Sequence, residues 1–474
     1  MTISYSPVTI VRSTSKDKFL PAFSCIAILA VYILFTIMFV PSPAPGRGLL
    51  STNDEIFETA TRFLAHDWGA FLLPKEYETG EFLWVTTSIV ITTVAEKYLG
   101  AFTEYLLLST AFVITSFVLA WLITRSLCFS ATLCFMLAFG TQLNYAYTYG
   151  DLIAFYVLLT YVAVNFSICV LLVSGRLRGW KWSIAFILSL CLAALSTEWW
   201  INYATALIAA AGFGIAWGAR HGNAEIRTSS TFLLLATIIV LGIYLAVRLQ
   251  TPGQFLRHGA EEELLITYQY FPLLAEDFIV NFFTLLYVSL TNYLPSFFTS
   301  SNSLTYLGAS TIIAEQYGYD PAHQQLVLMN HLFLWRFYAG VAATIFLGWT
   351  GVWVYRAWQA PSPPALTIAA LNLMVIAGFS THLLIKMRPY NSVPGLPYKA
   401  TISIAALTVL IAYLTMLCGQ RLRSRRFYYG IIACVWSTVS IAAITRPGMQ
   451  RRLLAEVGLV GLRDPFGQIL DWLP

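Results

Sequence analysis

Apolar residues come along this chain in long, nearly unbroken runs divided by short polar breaks, without the every-second-residue spacing of a half-buried strand. The runs are 19–41, 102–124, 127–146, 152–174, 183–197, 199–217, 229–249, 333–355, 365–384, 398–418 and 427–445. Most approach the ~20 helical residues that cross a hydrocarbon core of about 30 Å. Backbone groups in lipid must find their hydrogen bonds within the segment or in a closed barrel, and the alternation of barrel strands is missing. The pattern therefore predicts an all-α polytopic bundle of about eleven spans, joined by short connections and two longer loops.

Composition sharpens this. Of 474 residues, 58% are hydrophobic and only 11% charged, whereas a soluble domain carries about a quarter charged residues. So little charge does not cover a water-facing surface of this size, and secreted disulfide scaffolds, collagen-like chains and disordered chains are excluded with it. The net charge of +5 is spread in small clusters between apolar runs, which is an orientation signal and no footprint for nucleic acid. The seven cysteines lie in or beside apolar runs with no CxxC pair, and read as small buried hydrophobes. Run 19–41 lacks a small-residue cleavage site, so it reads as an uncleaved first span.

Charge also orders the topology. Lys16 and Lys18 put the N-terminus inside, and Pro41 to Gly46 breaks the first helix outside. Segment 82–99, rich in Thr and Val, is expected to lie along the outer interface, because a crossing there carries Arg125 outside. The following spans then bring Arg176, Arg178, Lys181, Arg220 and Arg227 inside. By the same reasoning 278–298 is expected to be re-entrant or surface-lying, which keeps Arg421, Arg423, Arg425 and Arg426 inside. The expected organisation is a transmembrane domain over 1–445 with outer loops 42–101 and 250–331, followed by a tail, 446–474, on the outer side.

Ionisable residues at membrane depth are costly unless paired or used, and here they gather on the outer side. Asp54 and Glu55 open a helix with apolar residues at 56, 57, 60, 63 and 64; the ordinary reading is acids complementing a helix dipole. Asp151 stands where an N-cap belongs, before an apolar run. Glu81 and Glu198 fall on the same side. His382, Lys386 and Arg388 sit at the outer end of a late span. Lys386 fits a snorkelling cation, and His382 by itself reads sooner as a satisfied buried histidine than as a ligand. Arg388, followed by Pro389, is suited to hold a phosphate through two oxygens.

Taken in chain order, these segments resemble the GT-C superfamily of membrane glycosyltransferases, which includes protein O-mannosyltransferases, the lipid A aminoarabinose transferase and oligosaccharyltransferases. The run from Asp54-Glu55 to Leu64 resembles the first-loop Asp-Glu motif and its helix. Phe82 to Trp84, leading to Tyr98 and Gly100, is similar to the interfacial helix that follows. Asn144 to Leu152, containing Asp151, resembles the second-loop acidic motif, and Trp199-Trp200 an outer-face aromatic pair. Lys386-Met387-Arg388-Pro389-Tyr390, with Pro394 and Pro397, is similar to a basic, aromatic and proline motif before a late span. The chain departs from oligosaccharyltransferases in having no substantial soluble C-terminal domain, and no subfamily is assigned.

The resemblance implies a GT-C-like bundle with interfacial helices in a bacterial inner (plasma) membrane. The implied reaction is inverting transfer of a sugar from a polyprenyl-phosphate donor to a glycan, lipid or protein acceptor on the extracytoplasmic side. Asp54 is then the general base, and Glu55, Glu81, Asp151, Lys386, Arg388 and Tyr390 bind substrate. A divalent metal ion is the one cofactor left open, with Asp151, Glu81 and His382 as candidate ligands. Membrane lipids are partners and nucleic acid is not. The alternatives are a transporter or flippase of lipid-linked sugars, which spreads charge through the midplane of two pseudo-symmetric halves, and a glycan polymerase of unrelated fold.

This topology puts 151 and 391 on the outer face. In a background without the native cysteines, Asp151→Cys and Asn391→Cys are expected to react with an impermeant thiol reagent from outside. Labelling of either from the cytoplasm alone overturns the assignment.

Overall fold

The computed structural model describes residues 19–39, 101–124, 126–140, 162–169, 180–196, 200–249, 321–385, 401–421 and 429–441, with scattered positions between 278 and 286 and at 427. All regular structure among the described residues is helical. The helices are α1 (Phe19–Phe39), α2 (Ala101–Thr124), α3 (Leu127–Gly140), α4 (Trp180–Ser196), α5 (Trp200–Arg220), α6 (Ala224–Leu249), α7 (Pro321–Gln359), α8 (Pro363–Ile385) and α9 (Thr401–Arg421). Helical stretches at 162–169 and 429–441 add to them. Segment 82–99, expected at the interface, lies outside the described residues, as does the tail.

Three stretches, Trp200–Arg220, Ala224–Ala246 and Pro363–Thr381, are long and apolar enough to cross a membrane; shorter apolar stretches include Leu106–Leu122 and Tyr429–Ile441. Helix α6 shows why lipid is the fitting solvent. Ala236, Val240 and Tyr244 are buried on one face, while Leu235, Ile239 and Ile243 on another face are more than half exposed. A helix that is apolar inside and out does not belong at a water boundary. The described helices are those of a membrane-associated protein.

Helices α5 and α6 form a hairpin whose turn follows from three residues. Asn223 N–H donates to the Gly218 carbonyl (2.9 Å) and Gly222 N–H to that of Ala219 (3.5 Å), with Gly222 left-handed at φ 65°. This is a Schellman ending, which needs a residue without a Cβ penalty at that position. Asn223 then starts α6: its Oδ1 accepts from Ile226 N–H at 3.0 Å, capping the new helix. The arms approach closely because Gly214 and Gly218 present bare backbone. A Cβ on Gly218 would sit 2.9 Å from Arg227 N and 3.0 Å from the Asn223 carbonyl oxygen, and one on Gly214 would collide with the Ser230 hydroxyl. Small residues four apart are the usual means of bringing membrane helices together.

The turn between α7 and α8 is made by Pro361, Ser362 and Pro363, with Ser362 N–H donating to the Ala360 carbonyl at 2.7 Å. Proline suits the first position of a helix, where its missing N–H is not needed. Helix α7 starts at Pro321, so residues 321–331, read from sequence as part of the outer loop 250–331, belong to the same helix as span 333–355. Its 39 residues measure about 58 Å against about 35 Å for the 23 of α8. Because the two start together at the 360–362 turn, α7 runs on past the far end of α8. Phe282, Phe283 and Leu286 are buried with Ile368, Val375, Phe379 and Leu407. Phe282 meets Phe379 edge-on at 5.6 Å. At these residues the segment expected to be re-entrant or surface-lying packs against α8 and α9; the rest of 278–298 lies largely outside the described residues.

The other side of the bundle joins α1, α2, α3, α9 and 429–441. Trp436 stacks on Phe135 at 4.5 Å and donates from Nε1 to Thr132 Oγ1 at 3.2 Å. Asn165 donates to Ser116 Oγ at 3.0 Å, tying 162–169 to α2.

The hairpin contacts set a graded expectation. Gly218→Ala meets backbone that cannot yield and should lose about 1–3 kcal/mol. Gly214→Ala meets the Ser230 side chain, its rotatable hydroxyl first and its Cβ at 3.2 Å, and should lose less, with part of the loss recovered by Ser230→Ala. Gly242, with open space around its Cβ position, should accept Ala at no cost. Melting temperatures of purified protein in detergent check the order; equal losses at 214 and 218 would contradict it.

Candidate functional site

The sequence-derived site residues Asp54, Glu55, Glu81, Asp151, Lys386, Arg388 and Tyr390 lie outside the described residues. His382 falls in the last turn of α8, where its backbone is helical. Among the described residues, no group of three or more His, Cys, Asp and Glu is gathered as a metal site. What the structure does define is the pair of helix ends that lead into these motifs.

One end of α5 carries arginines. Trp217, fully buried, donates its indole N–H to the Ala357 carbonyl at 2.8 Å, and His221 Nε2 lies 3.1 Å from the same oxygen. Arg220 Nε donates to the Trp358 carbonyl at 2.8 Å while its guanidinium lies 4.8 Å from the centre of the Trp358 ring. These carbonyls belong to the last turn of α7, which has no helical donors of its own left to meet them. Arg356 rests over Trp353 at 5.3 Å, and Arg227 begins α6 beside Gly218. Arg220, Arg227 and Arg356 thus share one end of the bundle.

The opposite end of α5 meets the opposite end of α8. Thr381 donates to Thr205 Oγ1 at 2.8 Å, with the Ala377 carbonyl equally near, and Thr205 donates in turn to the Ile201 and Asn202 carbonyls at 3.1 Å. The two threonines are 176 residues apart in sequence. The contact brings the start of α5, which follows Glu198 and Trp199, against the end of α8, which precedes Lys386 and Arg388. One turn from it, Trp200, Asn202 and Tyr203 are all buried. Among the described residues, Trp200 Nε1 and both polar atoms of the Asn202 carboxamide have no hydrogen-bond partner. A buried group left this way costs roughly 1–3 kcal/mol.

A second locus lies deeper. Ala357 and Trp353 of α7 pack with Ala365 and Ala369 of α8, and Thr350 and Asn372 are both buried. Asn372 Nδ2 donates to the Ile368 carbonyl at 2.8 Å, whereas Asn372 Oδ1, Thr350 Oγ1 and Trp353 Nε1 have no hydrogen-bond partner among the described residues.

Asn202 and Asn372 escaped the sequence reading because it weighed only ionisable residues at membrane depth. A carboxamide inside an apolar run, three positions after Trp199, was the available signal. Compared with known proteins, the chain matches no family model, no curated protein and no solved structure.

Two threonines separate paired from unpaired hydroxyls. Thr205→Val removes the acceptor of the α8 contact and should lower stability by about 1 kcal/mol. Thr350→Val removes a hydroxyl without a partner among the described residues and should leave the melting temperature unchanged or higher. A comparable loss at both positions would contradict the assignment.

Proposed function

We propose that the chain is an integral membrane glycosyltransferase of about eleven spans and GT-C-like architecture, which moves a sugar from a polyprenyl-phosphate donor to an acceptor. The observation that supports this reading most is the Thr205–Thr381 contact at the end of the bundle away from Arg220, Arg227 and Arg356. Under the positive-inside tendency the arginine end faces the cytoplasm. The α5 start and α8 end, with the motifs that adjoin them, then face the extracytoplasmic side of a bacterial inner membrane. A transferase working on a membrane-held donor needs that arrangement: polar chemistry at one interface and apolar helices below it for the lipid tail.

In this reading the new bond forms between the acceptor oxygen and the anomeric carbon as the bond from that carbon to the donor phosphate breaks. The departing polyprenyl phosphate is a weak base and needs no acid. The acceptor hydroxyl does lose a proton, and Asp54 takes it. Glu55, Glu81 and Asp151 hold sugar and acceptor hydroxyls. Arg388 and Lys386 neutralise the charge that develops on the phosphate, a contribution of a few kcal/mol in a site shielded from water, and Tyr390 also binds substrate. Attack opposite the leaving phosphate inverts the anomeric centre.

The test is incubation of the purified protein with radiolabelled polyprenyl-phosphate sugars and a membrane extract, with transfer as the readout. Asp54→Asn should insert normally and abolish transfer, because an amide still caps a helix but accepts no proton. Arg388→Lys should weaken apparent donor affinity despite the retained charge, since lysine cannot hold two phosphate oxygens in a fixed fork; Lys386→Arg should be tolerated better. Full turnover in Asp54→Asn removes the base assignment, and no transfer by the wild type from any donor removes the reading.

A further inference from the structure

We propose that the exposed face of α7 near its C-terminal end, together with Arg220 of α5, forms a site for an anionic phospholipid of the cytoplasmic leaflet. The phosphate rests on the Arg220 guanidinium and an acyl chain lies along the helix below it. The site is at the arginine end of the bundle and does not depend on the transferase reading; the positive-inside tendency places it on the cytoplasmic side.

Three observations carry it. Arg220 is exposed and held in place: its Nε donates to the Trp358 carbonyl at 2.8 Å, and its guanidinium lies 4.8 Å from the centre of the Trp358 ring. With Nε used in this way the two terminal nitrogens keep their N–H groups for a ligand, and among the described residues Arg220 meets no carboxylate. Next, the aromatic rings here are open. Trp358 is exposed, and Tyr355, three positions before it and so on the same face of α7, is 63% exposed. Amphipathic rings of this kind sit at headgroup level in membrane proteins. Finally, the face stays apolar and open down the helix. Val352 and Ile345 are exposed, and Gly351 and Gly348 have nothing within 4 Å of where a Cβ would stand. Positions 358, 355, 351 and 348 follow one another at helical spacing, so this lane starts at the Arg220–Trp358 contact. Gly348 lies about 15 Å along the helix from Trp358, half the depth of a ~30 Å hydrocarbon core.

The two parts select one occupant. Paired guanidinium donors are answered by two phosphate oxygens. Inorganic phosphate satisfies them and leaves the apolar lane bare, while a hydrocarbon chain alone covers the lane and leaves the donors unused. A phospholipid carries both parts. A net negative headgroup adds charge complementarity, since Arg227 and Arg356 share this end with Arg220, against Glu225 in the first turn of α6.

The experiment uses the full chain purified in a neutral detergent. Binding of acyl-tritiated phosphatidylglycerol and phosphatidylcholine is read by scintillation proximity, and melting is followed without lipid. The wild type is expected to bind phosphatidylglycerol roughly fivefold tighter than phosphatidylcholine, the effect of one arginine at an anionic surface. Inorganic phosphate, exchanged for chloride at constant ionic strength, should not displace it. Arg220→Gln should erase the preference and leave phosphatidylcholine affinity unchanged. Arg356→Gln removes an equal charge from its place over Trp353 and should keep the preference. Gly348→Leu fills the lane without meeting protein; it should weaken both lipids roughly threefold or more and melt no lower than wild type. That variant decides the matter where Arg220→Gln does not fold. Equal binding of the two lipids by the wild type overturns the proposal, as does a preference that survives Arg220→Gln or is lost equally in Arg356→Gln. Displacement by inorganic phosphate, or unchanged lipid affinity in Gly348→Leu, overturns it too.

Discussion

Trp217 donates its buried indole N–H to the Ala357 carbonyl across 140 residues of sequence, and the mutual alignment of α5, α7 and α8 depends on that bond. In water either group finds another partner easily. In a hydrocarbon-like interior an unpaired N–H or carbonyl is expensive, so the bond holds the two helix ends level. With Arg220 on the Trp358 carbonyl, it closes the last turn of α7 from outside that helix. Helix α8 leaves the same turn and runs back along α5, and the Thr381–Thr205 contact follows at the far end.

Apolar burial does not discriminate among arrangements here, because lipid tails are as apolar as the bundle interior. Close approach does. Gly214 and Gly218 let α5 meet α6 backbone to side chain, and Ala365 and Ala369 of α8 pack with Ala357 of α7 beside Trp217. Larger side chains then fill what remains, as Phe135 does against Trp436. The exposed Leu235, Ile239 and Ile243 are an apolar face suited to lipid rather than to water.

The same economy makes the polar exceptions informative. Thr132, Ser116 and Asn165 each find a partner on a neighbouring segment and tie elements together. Asn202 and Trp200, both fully buried, do not find one among the described residues. Helix α7 adds a different feature at the end where α5 starts: it continues past the end of α8, into the segment that reads as a loop.

The run 19–41 became Phe19–Phe39 and 365–384 became Pro363–Ile385, because helix existence follows from run length and its limits from proline and charge. The Gly222-Asn223 turn was equally legible in principle, since a left-handed glycine followed by a capping asparagine is local chemistry. The start of α7 at Pro321 was not, because residues 321–331 carry polar positions that match a loop as well as a helix projecting beyond the apolar layer. Of the candidate site, the sequence supplied acids, cations and their order, and by itself determined an all-helical, lipid-suited chain. Only the tertiary structure decided that Thr205 faces Thr381, that Trp217 meets Ala357, and that Asn202 is buried without a hydrogen-bond partner among the described residues. Helix formation is local, while the choice of neighbour depends on a few close contacts and buried hydrogen bonds between residues far apart in the chain.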